Sequence, residues 1–135
     1  MKQQSVKSLV NYWLKTAERD YDTMLILYKN KRYSECLFFG HIVLEKILKA
    51  HAAKQTKKQA PYIHNLVRLQ EIAKLGLPRE TLSLLAKVND FNIRTRYPEF
   101  KLQFYKLCTK IYTDKYLKQI IDLYKHLCLK LKQKK

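Results

Sequence analysis

Arg94, Arg96 and Tyr97 lie close together in the chain and have side chains suited to binding a phosphate and a base. A guanidinium group binds phosphate oxygens through two parallel hydrogen bonds, and an aromatic ring can stack on a base. Pro98 disfavours helical geometry at the residue before it, so we expect both arginines on a loop at one end of a helical bundle. These three residues are the best candidates for an anion-binding site.

A structural role is the alternative for the same segment. One arginine could pair with Asp90 or Glu99 and hold the loop in place, while Tyr97 and Pro98 fill the end of the bundle. The two interpretations differ in one testable respect, because a structural pin is needed for folding and an anion site is not.

Further anion-binding candidates are Lys46, Lys49 and His64. The two lysines could add to a basic helix face. Glu45 precedes Lys49 by four residues, a spacing that favours a surface ion pair over acid–base chemistry. His64 comes just before a predicted helix, where a structural role ranks first and a phosphate contact second.

The chain offers little for catalysis or metal binding. We find no Ser-His-Asp set, no glycine-rich phosphate loop and no carboxylate cluster with metal-ligand spacing. His41 and His51 are ten residues apart on one predicted helix and cannot share a metal. Asp20 lies beside an apolar stripe, where we expect it to be partly exposed or paired. We therefore predict no catalytic residue, no metal site and no cofactor.

The charge of the chain is strongly positive. It has 28 Lys and Arg against 11 Asp and Glu, a net charge of +17. Such a field attracts polyanions, although it could also simply keep a helical surface solvated. The cysteines Cys36, Cys108 and Cys128 form no metal or disulfide pattern, and the densest apolar stretch, residues 37–44, is short. We expect a cytoplasmic protein with no membrane-spanning helix and no signal peptide.

Apolar periodicity predicts one all-α domain over residues 1–135, an up-and-down bundle of four to five helices. With two glycines and three prolines the chain is poor in the turns that β folds need. The predicted helices run from a Ser5 N-cap to Asn30, from Tyr33 into 53–58, from His64 or Asn65 to a Gly76 cap, from Arg79 to Phe91, and from a Thr113 cap onward. Residues 101–112 are ambiguous. The second helix should be the most buried, with Leu44 and Ile47 in the core.

Four segments, taken in order, resemble a known family. They are Trp13-Leu-x-x-Ala17-x-x-Asp20, Tyr33-x-x-Cys36-Leu-Phe-x-x-x-Ile42-x-Leu44-Glu45-Lys46-x-Leu48-Lys49-Ala50, His64-Asn-Leu66 and Arg94-x-Arg96-Tyr97-Pro98. In this order and spacing they resemble the HEPN domain family (higher eukaryotes and prokaryotes nucleotide-binding) over nearly the whole chain. The resemblance implies a bundle that commonly dimerises. In prokaryotes it also implies a minimal nucleotidyltransferase partner, in a complex or a toxin–antitoxin-like pair.

Many members of the wider family are metal-independent ribonucleases with an Arg followed four to six residues later by a His. None of the arginines here has a His at that distance; Glu99 and Lys101 stand in those places after Arg94 and Arg96. An Arg stabilises phosphoryl charge, but a titratable His is needed to exchange protons near neutral pH. The ribonuclease mechanism therefore cannot be transferred to this chain.

Three hypotheses follow. The first is a non-catalytic module that binds a nucleotide or RNA, forms a homodimer and partners a minimal nucleotidyltransferase. The second is a divergent ribonuclease toxin that uses Arg94 or Arg96 with a His from another helix or subunit. The third is a purely structural dimerisation domain.

Overall fold

The computed structural model describes the backbone of residues 3–133 and the side chains of residues 5–133. Within this range the chain forms six helices and no strand. They are α1 (Gln3–Lys29), α2 (Tyr33–Thr56), α3 (Leu66–Ile72), α4 (Arg79–Arg96), α5 (Pro98–Leu107) and α6 (Lys110–Lys132). The all-α class is confirmed.

The predicted number of four to five helices is wrong by one, because the ambiguous segment 101–112 contributes to two helices. Pro98 takes the first position of α5, where its fixed φ and missing N–H are tolerated, so it starts a helix as well as ending one. The chain then breaks at Cys108, and Thr109 caps α6 by accepting a hydrogen bond from the N–H of Tyr112.

The predicted caps Ser5 and Thr113 are wrong. Helix α1 already includes Gln3, which places Ser5 inside its first turn. Thr113 lies inside α6, fully buried, and its hydroxyl has no hydrogen-bond partner among the described residues. A threonine precedes apolar residues of α6 at both 109 and 113, and the chain break at Cys108 places the cap at the first.

Helices α1 and α2 form an antiparallel hairpin around the basic turn 30–32. Their side-chain contacts move back along α2 as α1 advances: Trp13 contacts Lys49, Asp20 contacts Lys46, and Tyr28 contacts Tyr33. A turn this short leaves two long helices no other way to pack.

Helix α2 is the centre of the bundle, as predicted. Leu44 and Ile47 are completely buried in a core that takes residues from all six helices. Gly40 allows α6 to approach closely, since a Cβ at this position would lie 2.8 Å from the Cδ1 of Ile120. His51 and Lys54 then bind carbonyl oxygens in the last turns of α6.

Helix α3 begins near the predicted position but ends before the predicted Gly76 cap. Asn65 is the N-cap of α3, accepting hydrogen bonds from the N–H groups of Val67 and Arg68. The helix ends at Ile72, four residues before Gly76. Gly76 does adopt the left-handed conformation, at φ 58°, but within the loop and not as the helix cap.

Candidate functional site

Arg94 and Arg96 lie on the last turn of α4, not on a loop as predicted. The helix continues past Phe91 because its polar residues are satisfied within it; the Thr95 hydroxyl, for example, donates to the carbonyl of Phe91. Tyr97 is the first non-helical residue, with φ −102° and ψ 127°, as expected before Pro98. Both arginines still stand at one end of the bundle.

Arg94 is held on the surface of its own helix. Its Nε lies 2.9 Å from Oδ2 of Asp90, one turn earlier, in an ion pair whose side chains are 36% and 40% exposed. This is the pairing that the structural alternative proposed. Because one carboxylate already occupies the guanidinium, Arg94 is the less available of the two arginines.

Arg96 opens onto a groove of about 620 Å³ between the first turns of α2, the end of α4 and helix α5. No carboxylate in the described part of the chain pairs with Arg96 or with Lys101, the second basic residue on its wall. Phe38 and Tyr105 give the groove aromatic surface. We call this space the Arg96 groove.

The rest of the lining makes the groove mainly apolar. Pro98 and Leu102 contribute carbon surface, and Leu102 is 64% exposed. One acidic residue, Glu35, also lines the groove and accepts a hydrogen bond from the hydroxyl of Ser34. Two cations against one carboxylate leave the lining with a net positive charge, which suits an anion with an apolar or aromatic part.

The other predicted anion-binding residues lie elsewhere, and each is paired. Lys46 Nζ lies 2.5 Å from Asp20, and Lys49 Nζ lies 2.9 Å from Glu45. His64 Nδ1 lies 3.0 Å from the other oxygen of Glu45. None of the three lines the Arg96 groove. Asp20 is thus paired, as expected from the sequence.

The Glu45–Lys49 pair is confirmed, but its placement on the surface is wrong. Lys49 is 4% exposed, and its ammonium group sits 5.2 Å from the centre of the Trp13 ring. The i,i+4 spacing predicts the pair and contains no information on depth, which comes from the packing of α1 over α2. A buried pair of this kind is costly to break on one side only.

The histidines of α2 are buried and separated. His41 Nε2 donates to the carbonyl of His64 at 2.9 Å, and its Nδ1 accepts from the Asn92 amide at 3.1 Å. His51 Nε2 donates to the carbonyl of Leu127. Burial lowers the pKa of both imidazoles, against the opposing effect of Glu45 on His41. Both are therefore neutral near pH 7, with both ring nitrogens of His41 and the Nε2 of His51 engaged in hydrogen bonds.

Two cysteines near the groove end are also inert. Burial raises the pKa of the Cys36 and Cys108 thiols to about 12, so neither forms a thiolate nucleophile near neutral pH. Within residues 5–133, no group of three or more His, Cys, Asp or Glu side chains is placed to hold a metal ion. None of the helices described between residues 3 and 133 has the length and apolar character to cross a membrane.

Asn65, Asn89 and Asn92 are the residues that sequence reasoning missed. Together with His41, His64 and Ile93 they line a small pocket between α2, α3 and α4. In the sequence, only the His64-Asn-Leu66 segment could have indicated this pocket. Its other residues are far apart in the chain and meet through packing: Asn89 contacts Leu66 across 23 positions, and Asn92 contacts His41 across 51.

Comparison with known proteins identifies the family. A model of the HEPN domain matches residues 10–133, nearly the whole chain. Neither the curated proteins nor the solved structures that were compared gave a match. The chain therefore belongs to the HEPN domain family, which points to a function related to nucleotides or RNA.

Proposed function

We propose that this protein is a non-catalytic HEPN module that binds a nucleotide or RNA through the Arg96 groove. One observation carries the proposal: at the end of α4, an arginine without a carboxylate partner in the described chain faces an apolar, partly aromatic groove. Phosphate oxygens would bind the guanidinium, and the ribose and base would pack against the apolar wall.

Size and charge support this assignment. A volume of about 620 Å³ falls within the usual range of small-molecule sites, roughly 300–1,000 Å³. The net charge of +17 raises the local concentration of polyanions around the whole molecule. Lys101 adds a second cation on the groove wall, so a chain of phosphates suits it better than a single small anion.

The lining also supports binding without cleavage. The ribonuclease motif of the family uses a histidine that exchanges protons near neutral pH, and no histidine of the described chain lines the groove. His41, on α2, is buried, and both of its ring nitrogens are engaged in hydrogen bonds.

Fluorescence anisotropy with a labelled single-stranded RNA, titrated between about 50 and 200 mM salt, tests the proposal. Arg96→Ala should weaken binding and reduce the salt slope of log affinity by about 0.7, the contribution of one phosphate contact in a single strand. Arg94→Ala should have a smaller effect, since Asp90 already occupies that side chain. Lys118→Ala, exposed and remote on α6, is the matched control for net charge.

The outcomes separate the three hypotheses. Wild-type protein with no salt-dependent affinity for nucleotides or RNA would contradict the proposal. Cleavage of cellular RNA in EDTA that disappears in Arg96→Ala or Arg94→Ala would establish the ribonuclease alternative instead. Unfolding of either variant would indicate that the arginines are structural pins; circular dichroism and the melting temperature detect this directly.

We also propose that the protein works as a homodimer with a minimal nucleotidyltransferase as partner. The family resemblance supports the partner, and exposed apolar side chains support an interface. In the described chain the exposed large apolar side chains concentrate in 97–111, whereas those of α2 are buried or half-buried. Sedimentation should give about twice the mass of one chain; a monomer at every micromolar concentration would refute the dimer.

Co-purification with the product of an adjacent nucleotidyltransferase reading frame tests the partner.

A further inference from the structure

A second, smaller pocket lies one helical turn from the Arg96 groove, on the side of α4 that faces α2 and α3. Its volume is about 280 Å³. It is lined by His41, His64, Asn65, Asn89, Asn92 and Ile93, with no lysine, arginine, aspartate or glutamate among them. We call it the amide pocket.

The hydrogen bonds of His41 fix the orientation of the Asn92 side chain. The carbonyl oxygen of His64 can only accept, so the proton of His41 is on Nε2. His41 Nδ1 is then an acceptor, and the group 3.1 Å away must be the amide nitrogen of Asn92. The carbonyl oxygen of Asn92 is thereby turned away from His41.

That oxygen is an acceptor without a partner. No described residue donates to Asn92 Oδ1, although the residue is only 8% exposed. Nor is it sealed inside the protein, because the sealed polar atoms without a partner are on Trp13, Gln70 and Thr113. A buried acceptor that remains open on one side is most stable with a hydrogen-bond donor there, supplied by water or by a ligand.

Two further asparagines in the lining of this pocket have unused donors. Asn65 Oδ1 accepts from the N–H of Val67 and Arg68 and from Asn89 Nδ2, which leaves the Asn65 amide nitrogen with no acceptor in the described chain. Asn89 Oδ1 accepts from the N–H of Leu66, and one proton of its Nδ2 remains unused. The pocket therefore combines an uncharged acceptor with uncharged donors.

This pattern suits the edge of a nucleobase. Bases are planar and carry donors and acceptors side by side, which amide side chains match. A phosphate would find no lysine or arginine in the lining, whereas Ile93, 48% exposed, offers carbon surface to the face of a ring. Arg96 follows Ile93 by three positions and Asn92 by four, so the phosphate-binding residue stands on the same side of α4, one turn away.

We propose that the amide pocket recognises one unstacked base of a single-stranded RNA whose backbone lies in the Arg96 groove. The inference rests on the proposed function and adds to it the substrate class and the source of base preference. Duplex RNA is excluded from this mode, because its base edges are already paired and stacked.

The test compares the affinities of three RNA pentamers, of A, of C and of U, for wild type and variants. Wild type should bind its best pentamer at least about fivefold more tightly than its worst, since base-edge hydrogen bonds contribute roughly 1–3 kcal/mol of discrimination. Asn65→Ser keeps a side chain that caps α3 but removes the amide donors, and should bring the three affinities within about twofold. Ile93→Ala, at a half-exposed position, should reduce the preference with no loss of fold.

Arg96→Ala provides the matched control, since it should weaken all three pentamers alike and preserve their ratio. Equal, salt-dependent affinity of wild type for all three would overturn the amide pocket and leave the proposed function standing. A preference that survives in both Asn65→Ser and Ile93→Ala would also overturn it. Absence of binding to every pentamer would overturn both; if Asn65→Ser unfolds, Ile93→Ala decides.

Discussion

Helices α2 and α5 lie side by side at the Arg96 groove and differ in almost every respect of burial. More than half of the residues of α2 are buried, whereas α5 buries only Phe104 and exposes the other nine. Helix α2 is thus fixed from several sides, while α5 is anchored by one aromatic ring against Phe91. The comparison separates a scaffold, in which substitutions alter folding, from a surface element, in which they alter what the protein binds.

The largest expected effect is on the scaffold. Leu44→Ala or Ile47→Ala should lower the free energy of unfolding by about 2–5 kcal/mol, because each empties space in a fully buried part of α2. Chemical denaturation measures it. A change below about 0.5 kcal/mol, the size of a surface substitution, would show that α2 is not the core.

The next effect is the pH dependence of the same helix. Burial lowers the pKa of His41 and His51, so below the ordinary value of about 6.5 the unfolded chain binds protons that the folded chain does not. Stability should therefore fall as the pH drops from 7 through 6.5 towards the lowered folded pKa, and should not change for this reason above 7.5.

Melting temperatures between pH 7.5 and 5 check this sign. His51→Gln keeps a donor for the Leu127 carbonyl and cannot titrate, so its melting temperature should fall less steeply with acid than that of wild type. An identical slope in the two proteins would exclude His51 as a source of the acid sensitivity.

A smaller effect distinguishes the two threonines at the start of α6. Thr109→Ala should cost about 1 kcal/mol, since it removes the hydroxyl that caps the helix. Thr113→Val should be neutral or stabilising, because it replaces a buried hydroxyl that has no partner in the described chain by a methyl group of similar shape. Equilibrium unfolding should thus show a loss of stability for Thr109→Ala and none for Thr113→Val. Equal losses of stability in the two variants would indicate that Thr113 is the cap.

The threonines illustrate where sequence patterns stop being informative. Apolar periodicity located α1, α2 and the centre of α6, because each buries a stripe that repeats along the helix. It ended α4 five residues early, since Asn92 and Thr95 have low helix propensity, and Asn92 is stabilised by His41 of α2, a contact that a local pattern does not contain.

In the candidate site, too, contacts within one helix could be predicted from the sequence and contacts between helices could not. The Arg94–Asp90 pair follows from a spacing of four on one helix and was available from the sequence as an alternative. The groove beside Arg96 and the amide pocket depend on which helices meet. Asn89 binds the N–H of Leu66 and Asn92 binds His41, across 23 and 51 residues of sequence, so no local signal could reveal them.

The smallest expected effect on stability is on α5, where substitutions of exposed side chains should alter binding and leave folding intact, in contrast to α2. Leu102→Ser and Tyr105→Ser change side chains that are 64% and 63% exposed, so each should alter the free energy of unfolding by no more than about 0.5 kcal/mol.

Both residues line the Arg96 groove, and Tyr105 offers an aromatic face. Losing that face should weaken RNA binding by roughly 1–3 kcal/mol, the usual contribution of one stacked base, without changing the salt slope. Anisotropy and denaturation on the same samples separate the two quantities. Phe104→Ala is the control within α5, because it removes the anchor and should destabilise the protein. If Tyr105→Ser binds RNA as wild type does, the base does not stack in the groove, and the exposed face of α5 is left to the proposed dimer or nucleotidyltransferase interface.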